Sequence, residues 1–440
     1  MGRWGLFILL GLLGSQPGWA VTYYVATTGS DSNSCTTAQT CTSSSCTTAK
    51  RNAMGASGGA ACLSSGDTLY LRAGTYSQAI DTQVTTFPGG SSWSTPTTIA
   101  GYPGETVTLN SSGYALINHV DEAVQYVVYD NFVLDGINQG VGTNSAFNVA
   151  GNGFTQSHIR LQNSEVKNAY KCAVTPQAYN GTDLQVVNNN IHDNSRRAIG
   201  PDDTCYGIYA HGSNGLIEGN RIHDNGNFGI HIYKDGAPAP SGWVIRKNVL
   251  YNNGVGSSVD NGGLHAANVL VGGPDHQMYN NVVYNNNGIG QDYCITMGWG
   301  NSTPNNQIYN NTCYGHTVAA VQYCNSCNPN PIVRNNIFWN NGGTTTEING
   351  TQLGTYSNNL CEDSTSGCVL TGQNPQFVNT STADFHLQSS SPAINAGTTV
   401  SAVTTDYDGN TRPQGSAYDI GAYEFVSSSG IPSLILRIIR

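Results

Sequence analysis

Asn189-Asn190-Ile191-His192-Asp193-Asn194 returns as Asn220-Arg221-Ile222-His223-Asp224-Asn225, and that return decides the fold. The pattern continues as Asn248-Val249-Leu250-Tyr251-Asn252-Asn253, Asn281-Val282-Val283-Tyr284-Asn285-Asn286 and Asn336-Ile337-Phe338-Trp339-Asn340-Asn341. A degenerate copy stands at Asn311-Thr312-Cys313-Tyr314-Gly315-His316. The leading asparagines are spaced by 31, 28, 33, 30 and 25 residues. A repeat of that length without helical periodicity marks a solenoid.

Two columns flank each leading Asn. Three residues before it stand Val186, Ile217, Ile245, Met278, Ile308 and Val333; two residues after it stand Ile191, Ile222, Leu250, Val283, Cys313 and Phe338. Polar or aromatic residues alternate with these, so the local period is two and the elements are strands. The leading Asn reads as a turn residue that tolerates a left-handed backbone, with its amide free to bond along the stack. The frame extends upstream to Ser164 and Asn131 and downstream to Asn358, giving nine coils. No single coil buries a core, but a stack of them does. The fold class is all-β, a parallel β-helix.

Residues 1–20 carry one charge, Arg3, an apolar run Leu6–Leu13 and the ending Gly18-Trp19-Ala20, which reads as a secretory signal peptide cleaved after Ala20. Cap and first coils follow over 21–114, repeats over 115–372, a terminal module over 373–425 and a tail over 426–440, the tail too short to span a membrane. Charged residues make up only 10 %, against about a quarter in ordinary domains. Net charge is −10, and −11 without Arg3, which argues against a nucleic-acid partner. Twelve cysteines in an exported chain read as disulfides. Cys35, Cys41, Cys46 and Cys62 staple an N-terminal cap; Cys361 with Cys368 closes a short loop, and Cys172 with Cys205 clamps neighbouring coils. Cys324-x-x-Cys327 reads as a local disulfide. Cys313, in a core column, is either a buried thiol or paired inward.

Both ends of the mature chain resemble a known family. The opening runs Thr22-Tyr23-Tyr24-Val25-Ala26-Thr27-Thr28-Gly29-Ser30-Asp31, then Ser65-Gly66-Asp67-Thr68-Leu69-Tyr70-Leu71 and Thr98-Ile99-Ala100-Gly101-Tyr102-Pro103-Gly104. It is similar to that of secreted right-handed parallel β-helix proteins, the pectate-lyase-like superfamily. Asn374-Pro375-Gln376-Phe377, Asp408-Gly409-Asn410-Thr411-Arg412-Pro413 and Asp419-Ile420-Gly421-Ala422-Tyr423-Glu424 resemble the terminal module of exported bacterial β-helix proteins. The resemblance implies a right-handed coil; its members include lyases, hydrolases, epimerases and non-enzymatic surface proteins.

Chemistry must come from outward faces. Gly207-Ile208-Tyr209-Ala210-His211 aligns with Gly229-Ile230-His231-Ile232-Tyr233, Gly263-Leu264-His265-Ala266-Ala267, Cys294-Ile295-Thr296 and Ala320-Val321-Gln322. Alternation turns Tyr209, His231, His265, Thr296 and Gln322 outward in one row, with His211 and Tyr233 in the next, and coils about 4.8 Å apart make the row continuous. Lys234 follows at once, and the insertions 236–241 and 255–261 are positioned to wall a groove. His231, Lys234, Tyr209 and His265 are the candidate catalytic residues: an imidazole, amine or phenol exchanges a proton during elimination or hydrolysis. His211, Tyr233, Arg196 and Arg197 are the candidate substrate contacts, the arginines for a uronate carboxylate. Asp202 and Asp203 are the candidate calcium ligands. Exposed salt bridges in a loop explain the same four charges equally well.

A second row, His192, His223, Tyr251, Tyr284, Tyr314 and Trp339, is so regular that it reads as a stacking ladder, with a glycan-binding stripe as the alternative. Together these features describe a secreted, monomeric protein acting on polysaccharide. The first reading is a lyase cleaving a uronate-containing glycan by β-elimination. A glycoside hydrolase on the same scaffold and a non-catalytic surface or adhesion protein are the alternatives.

Overall fold

The computed structural model describes residues 20–120, 124–143, 145–149, 155–195, 206–233, 238–255, 268–284, 292–298, 304–323, 330–342, 347–349, 354–363 and 367–427. The reading of a signal peptide over 1–20 and most of the tail therefore lie outside the described residues, as do Cys205, Cys324 and Cys327. Three long parallel sheets wrap one core. Sheet 1 stacks twelve strands from Thr22–Val25 to Thr355–Ser357, sheet 2 twelve from Gly74–Tyr76 to Cys368–Thr371, and sheet 3 ten from Ile80–Asp81 to Ile348–Asn349. Each coil visits sheets 1, 2 and 3 in turn, so every strand pairs with its counterpart one coil away. The chain is a parallel β-helix, as its periodicity requires.

Both apolar columns point inward. All twelve of their residues, from Val186 through Phe338, are at most 1 % exposed. Each side chain so buried contributes about 1.5–3 kcal/mol of transfer free energy. Their outward neighbours Glu218 and Arg246 instead form an ion pair at 2.8 Å.

In the coils from Asn131 to Asn336 sheet 1 joins sheet 2 through only two residues, Asn188-Asn189 in one coil and Lys247-Asn248 in another. The first turns left-handed: φ is 55° at Asn188, 69° at Gly219, 56° at Lys247, 54° at Asn280 and 51° at Asn310. The expectation that the leading Asn itself takes this conformation is corrected. That Asn follows the left-handed residue, because its amide must point inward. The same one-residue shift moves the ends of the frame. Asn131 (φ 57°) and Asn358 (φ 54°) are the left-handed residues, and the inward places fall to Phe132 and Asn359.

Inside, the amides form an unbroken ladder. Nδ2 donates to the next Oδ1 from Asn189 through Asn220, Asn248, Asn281, Asn311 and Asn336 to Asn359, at 2.9–3.0 Å per step. Asn248 illustrates why each rung matters. Its Oδ1 accepts from the backbone and side-chain nitrogens of Asn220, and its Nδ2 also donates to the Ile217 carbonyl at 2.9 Å. A buried turn whose polar groups would otherwise be orphaned is thereby satisfied. A second, shorter ladder, which the pattern analysis missed, runs Asn194–Asn225–Asn253–Asn268 between sheets 2 and 3. It follows left-handed Asp193, Asp224 and Asn252.

Residues 26–66 cover the first coil, bound by Cys35–Cys62 and Cys41–Cys46. Met54 and Ala60 are buried in the same apolar cluster as Val25 and Leu69. Cys361–Cys368 closes the short loop expected of it. Cys313 is not a thiol: it pairs with Cys294 of sheet 3 across the core, and no described cysteine is free. Cys172 is also disulfide-bonded, to a partner outside the described residues. Among the described residues no helix is long and apolar enough to cross a membrane.

The C-terminal segment, from the antiparallel pair Phe377–Asn379 and Asp384–Leu387 onward, packs on the outer face of sheet 2. Phe377, Phe385, Ile420 and Tyr423 cluster there with Val282, Tyr284, Ile337 and Leu360. The left-handed asparagines dock it: Nδ2 of Asn280, Asn310, Asn335 and Asn358 donates to Thr405, Asp419, Thr398 and Ala396 carbonyls at 2.7–3.1 Å. At its surface His386 lies between Asp384 (2.6 Å) and Asp408 (2.8 Å), whose hydrogen bonds push its pKa up to about 9.

Two outcomes are expected. Asn248→Ala strands the Asn220 N–H and takes a donor from the Ile217 carbonyl, so chemical denaturation should show a loss of about 2–6 kcal/mol, one to three per affected group. A loss below about 0.5 kcal/mol, the scale of an ordinary surface change, would contradict the ladder's role. His386 has a raised folded pKa, so its contribution is complete below the ordinary histidine value near 6.5 and is lost as pH rises through about 9. An NMR titration assigned with His386→Ala should place its midpoint well above that of a free imidazole; a midpoint below 7 would refute the bracket.

Candidate functional site

Connections into and out of sheet 3 are the long ones. Residues 193–207 separate His192 from Ile208, and residues 252–268 separate Tyr251 from Val269. Two-residue turns bound the other side of sheet 2, so variation collects around sheet 3. Its outward row begins as a polar ladder. Asn148 Nδ2 donates to Asn118 Oδ1 at 2.8 Å, Thr175 Oγ1 donates to Asn148 Oδ1 at 2.9 Å, and Ser145 and Thr175 hydroxyls meet at 2.8 Å. One strand later the row becomes aromatic.

Tyr209 and His231 are register partners, as their alternation predicts, and their rings stack at 5.0 Å with 14° between planes. Tyr233, two residues on, stacks on His231 at 5.4 Å. Tyr206 approaches His231 edge-on at 4.3 Å, and Phe228 lies tilted against it at 5.1 Å. Among the described residues His231 therefore touches four rings, and it is only 7 % exposed, whereas Tyr206, Tyr209 and Tyr233 remain half-buried. His211 lies edge-on to Tyr209 at 4.8 Å and stacks on Tyr179 at 4.8 Å. The arrangement sets partly exposed phenols around an enclosed imidazole. Flat apolar faces flanked by hydroxyls are surfaces on which a polar ring can stack.

The expected place of His265 is corrected. The strand after Ile230–Ile232 is Val269–Val271, and Leu270, not His265, stands beside His231. Two runs competed for that strand. The later one buries two valines, Val269 at 2 % and Val271 at 0 %, where the earlier offers a leucine and an alanine. Branched residues suit the pleated, buried surface better. It also puts Asn268 at the end of the second amide ladder, 2.8 Å from Asn253 Nδ2. Downstream the expected row resumes, with Leu270 beside Thr296 and Thr296 beside Gln322. His265 itself lies outside the described residues, as do Lys234, Arg196, Arg197, Asp202 and Asp203. Among the described residues no group of three or more His, Cys, Asp or Glu is placed to hold a metal ion.

Tyr206 and Phe228 escaped the sequence reading although a signal was present. Tyr206-Gly207-Ile208-Tyr209 and Phe228-Gly229-Ile230-His231 repeat an aromatic residue before the glycine. Tyr179 comes from an irregular segment and carried no such mark.

The competing ring ladder on sheet 2 is structural. His192, His223, Tyr251 and Tyr284 stack at 5.0, 4.7 and 5.0 Å with planes within 13°. Each imidazole has both nitrogens engaged, His192 by Asp193 and Glu165, His223 by Asp224 and Asn190. Burial lowers the His223 pKa, favouring the neutral ring.

The family described as right handed beta helix region matches residues 110–269 and 205–382. No curated protein matches the sequence. Among solved structures the chain is similar to pectate lyase Pel9A, at a TM-score of 0.59 and 15 % identity over 92 % of this chain and 97 % of that one. It is also similar to XylC in complex with xylose (TM-score 0.49, 10 % identity, 91 % and 98 % covered). An alginate lyase from Paenibacillus sp. follows (TM-score 0.44, 16 % identity, 67 % and 97 % covered).

Proposed function

The chain belongs to the right-handed β-helix family, and from that premise we propose that it is an exported polysaccharide-active protein whose working face is the outer surface of sheet 3. The observation that carries this reading is the ring cluster of Tyr206, Tyr209, His231 and Tyr233, on the sheet whose flanking connections are the longest in sequence. Disulfides at both ends and across the core support export. Pel9A, a pectate lyase with the same fold, is consistent with uronate chemistry on such a face.

The finer reading is β-elimination. A base removes the proton beside the uronate carboxylate, the bond to the leaving glycosidic oxygen breaks, a carbon–carbon double bond forms, and an acid returns a proton to that oxygen. Tyr209, half-exposed on the row, is the acid. The base is His231 or Lys234, the next residue after Tyr233. With Leu270 in the row, the carboxylate falls to Arg196 and Arg197, bidentate donors of the kind such a group needs. Asp202 and Asp203 are the residues to which calcium would bind if the carboxylate is bridged by a cation.

The enclosure of His231 by four rings favours a second reading, a glycan-binding face without turnover. One experiment separates them. The mature protein is incubated with pectate, alginate and neutral glycans, and unsaturated products are read by ultraviolet absorbance and new ends by reducing-sugar assay. β-Elimination yields unsaturated ends, which Tyr209→Phe and His231→Ala each reduce by roughly a hundredfold to ten-thousandfold with unchanged circular dichroism. New reducing ends without unsaturation mean hydrolysis; retention of a glycan without cleavage means the binding reading. If an active wild type keeps its rate in Tyr209→Phe, His231→Ala and Lys234→Ala, the working face is elsewhere.

A further inference from the structure

The ring ladder of sheet 2 ends in an opening. The C-terminal segment covers Tyr284, which is 9 % exposed and 5.2 Å from Phe385. One and two coils later, Tyr314 and its register partner Trp339 are again half-buried. They floor a cleft of about 500 Å³ whose wall is the Phe377–Asn379 strand and its flanks, chiefly Asn374, Gln376, Asn379 and Gln388. Its lining contains no carboxylate, amine, guanidinium or imidazole.

The wall is held in place independently of any ligand. Phe377 meets Phe385 edge-on at 5.2 Å, Phe385 lies 5.3 Å from Tyr314, and Gln388 Nε2 donates to the Phe377 carbonyl at 2.8 Å. Asn374 and Asn379 spend their Oδ1 atoms on local turns, accepting from Gln376 N and Ser381 N. Their Nδ2 groups, the Trp339 indole N–H and the Tyr314 hydroxyl form no hydrogen bond among the described residues, and all four residues line the cleft. Indole and phenol faces one coil apart, rimmed by unspent amide donors, match the apolar face and equatorial hydroxyls of an uncharged sugar ring.

We propose that this cleft binds an uncharged sugar residue of a polysaccharide. It lies on sheet 2, four to five strand steps along the helix from the coil of Tyr209, about 19–24 Å at strand spacing. It is a separate site, and it stands whether or not sheet 3 is catalytic. Its effect is to hold the protein on neutral glycan, for which the acidic surface has no general attraction.

Isothermal titration calorimetry of the mature full-length protein tests this with cellohexaose, xylohexaose and mannohexaose as neutral probes and hexagalacturonate as the acidic one. At least one neutral probe should bind. Trp339→Ala should weaken it by roughly tenfold or more, the worth of one ring face. Asn374→Ala, an exposed rim change that spares the packed rings, should weaken it several-fold, and it decides the matter if Trp339→Ala loses its circular dichroism. Glu218→Ala, an outward change on sheet 1 remote from both faces, should leave neutral binding unchanged; the sheet 3 reading is tested by turnover rather than by this titration, so failure here is distinguishable from failure there. No neutral binding, neutral binding indifferent to both cleft variants, or a cleft that takes only hexagalacturonate would each overturn the proposal.

Discussion

Everything in this molecule depends on a two-residue turn. Between sheets 1 and 2 the chain must bend sharply from one sheet into the next, bury the turn and still satisfy its polar groups. One residue takes the left-handed conformation, and the next, an asparagine, turns its amide into the core, where it serves its own coil and both neighbours. A neutral amide with two donor hydrogens and an acceptor oxygen can do this repeatedly; a carboxylate in the same column would meet its own charge every coil. Each rung is therefore constrained by the rungs above and below, and the register of sheets 1 and 2 follows.

Fixing one corner so tightly moves freedom to the others. Coil length varies from 25 to 33 residues along the repeats, and the two-residue turn absorbs none of that variation. It is taken up in the connections before and after sheet 3. Its outward row changes from stacked amides and hydroxyls at Asn118–Thr175 to rings at Tyr209 and His231. Sheet 2 had the more regular ring ladder, but regularity there reflects stacking: its histidines are tied to carboxylates and amides, and its last coils carry the C-terminal segment.

What could be read from the sequence was what burial alone decides. Ile217 and Ile245 had to face inward, and Glu218 and Arg246 outward, whatever the turn. The amide ladder was legible because asparagine recurs in one column. Its exact rung was not, since Asn-Asn doublets such as 188–189 and 310–311 offer two candidates and only backbone conformation separates them. His265 failed for a related reason: two apolar runs lay within one connection, and the better-packed one won. The Cys294–Cys313 pair joins two sheets across the core, a contact with no sequence spacing to announce it. Of the site, Tyr209, His231, His211 and Tyr233 were legible by alternation. Tyr206 and Phe228 were marked only by the residue preceding a glycine.

The central claim is that glycan lies on the outer face of sheet 3. A crystal structure of the mature protein soaked with oligosaccharide from a uronate-containing glycan tests it most directly. The account predicts sugar rings over Tyr209 and Tyr233, with hydroxyls or carboxylate toward the long connections beside them. Ordered uronate sugar on sheet 1 or sheet 2, with the Tyr209–His231 rings bare, would contradict it.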